Sequence, residues 1–289
     1  MRTSCVIFLV LMLSVRSASA FLRSGFPVSR FSSVPVRKAA EHGQGFGGRG
    51  ILTMPVDILS ALVQGPGRAK LVWSQLRKTG LDPLDAKSEL SKKVQILLGL
   101  HMNGSSVIPA SIDSESTAPC GTKKLLVKLK DGQQIETVII PMGGDHCTVC
   151  VSTQLGCDRR CAFCATGAMG LLRSLTATEI IAQVLIAQQV ATRENMPPIT
   201  NVVYMGMGDA AGNIAAVRES VLCLTDEQRM HLSPNKVCVS TVGPRPDAFM
   251  ELAQLPATIA WSLHSPVDET RQLLVPSTKH TTGKFLHTI

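Results

Sequence analysis

The spacing of apolar and polar residues changes along the chain and divides its folded part into two regions. Beyond Cys147, short apolar runs alternate with helix-length segments, which is typical of a parallel α/β sheet or barrel. The runs that predict strands are residues 150–156, 201–208, 236–243 and 258–265. In such folds the catalytic groups gather at the carboxyl ends of the strands.

The clearest helix is predicted between the first two of these strands. Thr176 and Glu179 have the spacing of a capping box, in which each side chain accepts a hydrogen bond from the other residue's backbone amide. Apolar residues then recur on one helical face, at Ile180, Ile181, Val184 and Leu185.

The region before the sheet has a helical period and predicts a small accessory domain over residues 51–105. Its central segment has a predicted apolar face of Leu71, Val72, Leu76 and Leu81, and a predicted basic face of Arg68, Lys70, Arg77 and Lys78. The basic face either binds nucleic acid or is simply solvated.

Residues 105–122 predict a loop, and residues 123–141 predict a β-hairpin that turns at residues 131–134. A core domain is predicted over residues 120–289.

Composition narrows the class of protein. With 289 residues and 45% hydrophobic content, the chain is long enough for one large domain or two ordinary ones, and we do not expect disorder as its main state. The low aromatic content of 4% argues against an aromatic stacking surface for single-stranded nucleic acid. Recognition of RNA by shape and backbone contacts stays open.

The first forty residues predict a two-part targeting segment. Arg2, an apolar run over residues 5–13 and the small residues Ala18 and Ala20 have the layout of a cleavable signal peptide. The run is too short to span a membrane. Residues 21–40 are rich in Ser and Arg, like a transit peptide. Together they resemble the plastid address of algae whose plastids lie inside extra membranes, and simple secretion is the alternative.

The targeting segment also carries most of the net charge. Its six basic and no acidic side chains mean that removal lowers the formal charge from +8 to +2. Net charge alone is therefore weak support for a nucleic-acid partner.

Five of the nine cysteines lie within residues 147–164, and three arrangements account for them. A disulfide framework fits a signal peptide, but such scaffolds are short and loop-rich. Zinc fits the paired spacing of Cys147 with Cys150 and of Cys161 with Cys164, but it leaves Cys157 over. In the third arrangement, Cys157-x3-Cys161-x2-Cys164 provides three thiolates for a [4Fe–4S] cluster and leaves its fourth iron open.

The third arrangement, with Phe163 just before the last cysteine, resembles the radical S-adenosylmethionine (SAM) superfamily. The longer segment CVSTQLGCDRRCAFCATGAMGLLRSLTATEIIAQV resembles the core of the RlmN/Cfr family, radical enzymes that methylate carbon 2 or carbon 8 of an adenosine in RNA. The resemblance covers about residues 55–289 and continues in GRAKLVWSQLRKTGLD, TKKLLVKLKDGQQIETVIIP, NVVYMGMGD, VSTVGPRP and IAWSLHSPVDETRQLLVP. The RlmN branch, which acts on carbon 2, is the better match.

That resemblance implies a partial (βα) radical SAM barrel preceded by a small helical accessory domain, which helps to hold RNA, and a β-hairpin. It also implies a [4Fe–4S] cluster, SAM, an RNA substrate of 23S type or transfer RNA, and an electron donor such as ferredoxin or flavodoxin, without stable membrane association. The implied cluster ligands are Cys157, Cys161 and Cys164. The implied cofactor contacts are Phe163, Gly208, Asp209, Ser240, Ser262, Leu263 and His264.

Two further residues receive catalytic roles from the resemblance. Carbon 2 of adenine is electrophilic, so ordinary methyl transfer fails, and the family adds a methyl-derived radical carried on a second cysteine near the C-terminus. Cys150 matches the cysteine that breaks the resulting protein–RNA crosslink by forming a disulfide with that carrier. Glu136 matches the glutamate that accepts the ring proton.

The match breaks at two places. Asp209 and Ala210 stand where the family has Glu-Pro. The chain ends at Ile289, after four of roughly six implied strand–helix units, and no cysteine follows Cys238, which lies inside the third strand's motif and cannot replace the carrier. We expect an incomplete gene model or a degenerate paralogue. The alternative function is a non-catalytic iron–sulfur or zinc protein that binds RNA or ribosomes.

Overall fold

The computed structural model describes residues 50–287, so the targeting segment predicted for residues 1–40 lies outside it. The strands are β1 (Ala110–Thr117), β2 (Lys123–Leu129), β3 (Gln134–Met142), β4 (His146–Cys150), β5 (Gln154–Gly156), β6 (Leu171–Ser174), β7 (Ile199–Tyr204), β8 (Val237–Thr241) and β9 (Thr258–Trp261). The helices are α1 (Val56–Leu62), α2 (Pro66–Thr79), α3 (Lys92–His101), α4 (Ala165–Ala168), α5 (Ala177–Arg193), α6 (Ile214–Thr225), α7 (Asp247–Leu252), α8 (Asp268–Leu274) and α9 (Thr282–Leu286).

One mixed sheet in the order β1-β2-β3-β4-β7-β8-β9 forms the frame of the protein. Strands β1 to β4 pair antiparallel, and β4, β7, β8 and β9 run parallel with helices between them. The parallel half confirms the predicted α/β series. It forms part of a barrel, which stays open within residues 50–287. Strands β5 and β6 form a separate antiparallel pair.

Helix α5 packs at the centre of the core. Its capping box is confirmed, because the Thr176 hydroxyl accepts from the Glu179 amide at 3.2 Å and the Glu179 carboxylate accepts from the Thr176 amide at 2.8 Å. The predicted apolar face is fully buried, and so are Ala182, Ile186, Ala187 and Val190. A helix that is apolar around most of its circumference packs between layers, here between the sheet and the helices α2 and α6.

The predicted hairpin is confirmed as β2 and β3, but the predicted loop before it is wrong. Residues 110–117 form strand β1, which pairs with β2 and has mostly exposed side chains. Its hydrogen bonds join main-chain groups, so a polar edge strand needs no apolar alternation and leaves no such signal in the sequence.

The first parallel strand also differs from its predicted bounds. Strand β4 ends at Cys150, and a short β5 follows at residues 154–156. The chain leaves the sheet between them because the Thr153 amide donates to the Met207 carbonyl at 2.8 Å, in the loop after β7.

The helical period predicted before the sheet is confirmed by α1, α2 and α3, with a correction to the apolar face of α2. Leu71 is 59% exposed, whereas the buried residues are Ala69, Val72, Trp73 and Leu76. Their spacing follows the 3.6-residue period, and Leu71 lies one residue outside it. None of the helices within residues 50–287 has the length and apolar composition of a membrane span.

Gly80 joins the helical region to the core at the end of α2. It adopts a left-handed conformation with φ of 66°, and a Cβ there would overlap the carbonyl oxygen of Leu185 in α5. The carbonyl of Gly80 accepts from the Gln189 side chain at 2.8 Å. Only glycine allows this close contact between two helices.

We predict that Gly80→Ala lowers the free energy of unfolding by about 2–4 kcal/mol, because it adds a steric overlap to backbone strain. Urea unfolding of the iron-free protein measures this. Gly104→Ala is the matched control, since Gly104 has a φ of 73° with no atom within 4 Å of a new Cβ. It should cost only about 1–2 kcal/mol, and equal losses would contradict the role of the contact with α5.

Candidate active site

The residues predicted to bind a cofactor come together at the carboxyl edge of the four parallel strands. The segment that leaves β4 forms the short strand β5 and then carries the three clustered cysteines, and the loop after β7 carries Gly208 and Asp209. Ser240 lies near the end of β8, and residues 262–264 follow β9 directly. This is the edge at which α/β folds bind ligands.

The cysteine loop, residues 157–164, is held by backbone hydrogen bonds at both ends and in the middle. The Cys157 amide donates to the Gly170 carbonyl at 2.9 Å, and the Cys164 amide donates to the Cys161 carbonyl at 3.0 Å. Between them, the Ala162 amide donates to the carbonyl of Leu274, the last residue of α8, at 2.9 Å. Cys157 is buried, and Cys161 and Cys164 are partly exposed.

The thiols of this loop influence each other electrostatically. Burial raises the pKa of Cys161 to about 11, and the neighbouring Cys157 and Cys164 act in the same direction. Burial also raises the pKa of Cys157. A site that gathers sulfur ligands, two of them with raised pKa values, becomes favourable when positive metal charge replaces the thiol protons.

The three thiols of this loop have the donor chemistry that an iron–sulfur cluster requires. Within residues 50–287, no three His, Cys, Asp or Glu side chains converge on one point in the way a single ion requires. A [4Fe–4S] cluster binds each thiolate to a different iron, so its three ligands surround a larger object. The zinc arrangement also meets an obstacle in β4, where Cys147 is buried on one face and Cys150 lies on the other.

The loop after β7 is shaped by a close approach to Gln154. Gly208 has a φ of 94°, and a Cβ there would lie 2.5 Å from the Cβ of Gln154. The side-chain oxygen of Gln154 accepts from the Asp209 amide at 3.0 Å. Gly208 is therefore required by the fold of this turn, whatever it binds.

The Asp209 carboxylate is buried and satisfied by protein donors. It accepts from the Ala211 amide at 2.9 Å, the Thr241 hydroxyl at 2.8 Å and the Val242 amide at 2.8 Å. Burial raises the pKa of Asp209, and these hydrogen bonds and Arg159 oppose the rise. In this structure Asp209 joins the ends of β7 and β8, and its assignment as a cofactor contact stays a prediction.

The remaining predicted cofactor contacts form two neighbouring pairs. The hydroxyls of Ser240 and Ser262 are 2.8 Å apart, across the ends of β8 and β9. The rings of Phe163 and His264 are 4.8 Å apart, so the cysteine loop touches the segment after β9. His264 has a φ of 64°, and burial, with a contribution from Arg271, lowers its pKa. Leu263 lies between the two pairs and packs partly against the core.

Glu136 and Cys150 lie on one face of the sheet. Cys150 pairs with Val138 of β3, and Glu136 is two residues from Val138, so the two side chains are diagonal neighbours. Glu136 is exposed and forms an ion pair with Lys124 at 3.1 Å. Burial raises the pKa of Cys150 to about 11.

The same face carries a second cysteine. Cys150 pairs with Val203 of β7, which pairs with Cys238 of β8, so the two cysteines are two strands apart. At about 4.8 Å per strand their Cα atoms are about 9–10 Å apart, beyond the reach of a disulfide. Cys238 therefore cannot act as the disulfide partner of Cys150 in this fold.

Sequence reasoning missed the polar residues that hold these parts together. Gln183 of α5 is fully buried, accepts from the Thr137 hydroxyl and the Ser152 amide at 2.9 and 2.8 Å, and donates to the Ser152 carbonyl at 2.9 Å. Its signal was a polar residue inside the apolar face of a helix. Arg271 was missed too, although it shares the apolar face of α8 with Leu274 and Val275.

Comparison with known proteins agrees with this geometry. Residues 151–289 match the sequence profile of the Radical SAM superfamily. The crystal structure of a radical SAM methyltransferase from Sphaerobacter thermophilus superposes with a TM-score of 0.73 and 32% identity, covering 83% of this chain and 71% of that one. The fold and the cysteine loop thus define a radical SAM protein of the methyltransferase class.

The curated relatives make the family specific. A dual-specificity RNA methyltransferase RlmN of Magnetococcus marinus is 38% identical over 77% of this chain and 61% of its own length. The protein of the same name from Oleidesulfovibrio alaskensis is 35% identical over 72% of this chain and 58% of its own length. The chain belongs to the RlmN family of radical SAM methyltransferases. It spans about 60% of the length of these two relatives.

We predict that Asp209→Asn lowers the free energy of unfolding of the iron-free protein by about 1–3 kcal/mol, because a buried amide cannot accept all three hydrogen bonds. Asp158→Asn is the control, since Asp158 is exposed and its ion pair among residues 50–287 is with the adjacent Arg159. It should change stability by less than about 0.5 kcal/mol. Urea unfolding compares the two, and a neutral Asp209→Asn would contradict a structural role.

Proposed function

We propose that this chain carries the radical SAM core of an RNA methyltransferase that acts on carbon 2 of an adenosine in ribosomal RNA, with transfer RNA as a second substrate. The observation that supports this most directly is the cysteine loop, held at the carboxyl edge of the parallel strands beside the Gly208 turn and the Ser240–Ser262 pair. The dual-specificity RNA methyltransferase names of the relatives support an RNA substrate.

In this proposal Cys157, Cys161 and Cys164 hold a [4Fe–4S] cluster and leave one iron for SAM. When bound there, the cluster would supply the electron that cleaves the SAM sulfonium, and a ferredoxin or flavodoxin would replace that electron. The segments after β7, β8 and β9 orient SAM over the strand ends. The rings of Phe163 and His264 lie in contact at a tilt of 55° beside the loop.

Glu136 and Cys150 would act on the RNA from the adjoining face of the sheet. Cys150 is a thiol at neutral pH because burial raises its pKa to about 11, so it needs a base before it can attack a sulfur atom. Glu136 is exposed and can exchange a proton with the substrate or with water. Cys150 would therefore react only after it has lost its proton, whereas Glu136 is accessible from the start.

The helical region offers a surface for the RNA backbone. Lys70 and Lys78 of α2 are exposed, and so are Lys92 and Lys93 of α3. Arg68 donates to the carbonyls of Val63 and Gln64, so its guanidinium is partly engaged in the protein. Exposed lysines suit phosphate contacts that read shape rather than sequence.

A second candidate function is a cluster-binding protein that binds RNA without catalysis. It is supported by Asp209, whose carboxylate is buried and occupied by Thr241, Val242 and Ala211 rather than open to a ligand. The two candidates differ in one measurement, the cleavage of SAM by the iron-loaded protein.

We propose in addition that residues 1–40 direct the protein to a plastid, since they combine signal-type and transit-type composition. A fluorescent protein fused to these residues should enter the plastid of an alga with a secondary plastid. Fluorescence in the medium would support secretion instead.

We predict that Cys161→Ala abolishes cluster loading, whereas Cys150→Ala and Cys147→Ala leave it intact, because only the first lies in the cysteine loop. Iron and sulfide per chain, with the brown colour of the reconstituted protein, measure this. Equal losses in Cys150→Ala and Cys161→Ala would favour zinc bound by the paired cysteines, which zinc analysis would then detect.

The decisive test is SAM cleavage. The reconstituted protein, reduced with dithionite, should convert SAM to 5′-deoxyadenosine, and Cys161→Ala should not. If the cluster loads but SAM neither binds nor is cleaved, the methyltransferase proposal is wrong for this chain and the cluster-binding alternative stands.

A further inference from the structure

Arg271 of α8 is a buried cation that the proposed mechanism does not use. Its side chain is 1% exposed, and its guanidinium carbon lies 5.6 Å from the centre of the Trp261 ring and 5.3 Å from that of Phe285. Nε donates to the Leu263 carbonyl at 3.2 Å, and one terminal nitrogen donates to the Val242 carbonyl at 2.5 Å. The other terminal nitrogen has no hydrogen-bond partner among the described residues.

The charge of Arg271 is not balanced by an ion pair within residues 50–287. Burial lowers its pKa, and the groups that oppose this are Asp268 and Cys161. Asp268 is engaged elsewhere, since its carboxylate accepts from the Thr282 amide at 2.7 Å. A buried cation without a close anion is costly, and folds keep such groups where negative charge is present in the working state.

Arg271 also supports the cysteine loop through two separate routes. It lies three residues before Leu274, whose carbonyl accepts from the Ala162 amide at 2.9 Å. It also holds the carbonyl of Leu263, and the ring of the next residue, His264, contacts that of Phe163 at 4.8 Å between centroids. Ala162 and Phe163 are the two residues that follow Cys161, so both routes end between two thiols of the loop.

We propose that Arg271 is a positioning residue for the iron–sulfur cluster, whose buried positive charge offsets the loop's thiolates and favours the reduced cluster. This inference rests on the proposed function, since it requires a cluster on the three cysteines. Reduction adds one electron from the donor and lowers the charge of the [4Fe–4S] core from 2+ to 1+, with no bond formed or broken. A fixed cation in surroundings that exclude water stabilises the more negative of the two states.

The test compares the midpoint potential of the cluster in four variants, in the full chain and without SAM. R271M and R271Q remove the charge, R271K keeps it with fewer donors, and E269Q removes an exposed charge from the same helix. Each protein is reconstituted with iron and sulfide, checked for iron content, and titrated with dithionite while electron paramagnetic resonance follows the reduced cluster.

We expect the neutral variants to lose at least tenfold in the equilibrium constant for one-electron reduction, which is a shift of about 59 mV to more negative potential. R271K and E269Q should stay within about threefold of the wild type, or about half that shift. If neither neutral variant retains a cluster, R271K decides, since it should load fully and keep the wild-type potential.

The outcomes separate this inference from the proposed function. A wild-type chain that takes up no iron and sulfide would contradict both. A wild-type chain that loads a cluster, with neutral variants of unchanged potential, would overturn the role of Arg271 alone. The same shift in R271K as in the neutral variants would also overturn it, because loop geometry rather than charge would then be the cause.

Discussion

One buried serine connects the parts of the site, and their relative positions depend on it. The Ser152 hydroxyl donates to the Glu136 carbonyl at 2.6 Å and accepts from the Met207 amide at 2.9 Å. Its own amide and carbonyl are both bonded to the Gln183 side chain. Ser152 thereby joins β3, α5 and the turn before Gly208 at the point where the chain leaves β4 for the cysteine loop. A buried polar junction of this kind specifies one arrangement, because each alternative leaves an unpaired group.

A second junction at the surface fixes the opposite side of the same loop. Arg173 of β6 binds the Asp131 carboxylate, in the β2–β3 turn, and the Glu179 carboxylate, in the cap of α5. Its planar donors make paired bonds to both acids at once, a geometry that the single ammonium of a lysine lacks. The hairpin that carries Glu136 is thus tied to the segment that leaves the cysteine loop, so the two halves of the proposed site share one support.

Most of the architecture could be predicted from sequence because its signals are local. The Thr176–Glu179 cap, the β2–β3 turn and the three later strand-like runs each lie within a few residues, and the structure confirms them, whereas β4 ends at Cys150, where the first predicted run begins. The polar strand β1 could not be predicted, because its pairing with β2 depends on a partner elsewhere in the chain. The exposure of Leu71 depends likewise on which side of α2 meets α5.

Less of the candidate site than of the fold could be predicted from the sequence. The strand series placed Gly208 after β7 and the two serines at the ends of β8 and β9, whereas Cys157 follows β5 of the separate pair and not the parallel strand β4. It did not reveal that Asp209 is bound by Thr241 and Val242, or that Arg271 lies under the segment after β9. Such contacts join residues that are far apart in sequence, and no single segment contains their signal.

The raised pKa values of Cys157 and Cys161 affect how readily the free thiols are oxidised. Oxidation of cysteine proceeds through the thiolate, and at neutral pH these two side chains are almost entirely protonated. Burial therefore slows the oxidation of these two thiols, so the fold itself protects two of the loop's three sulfur atoms.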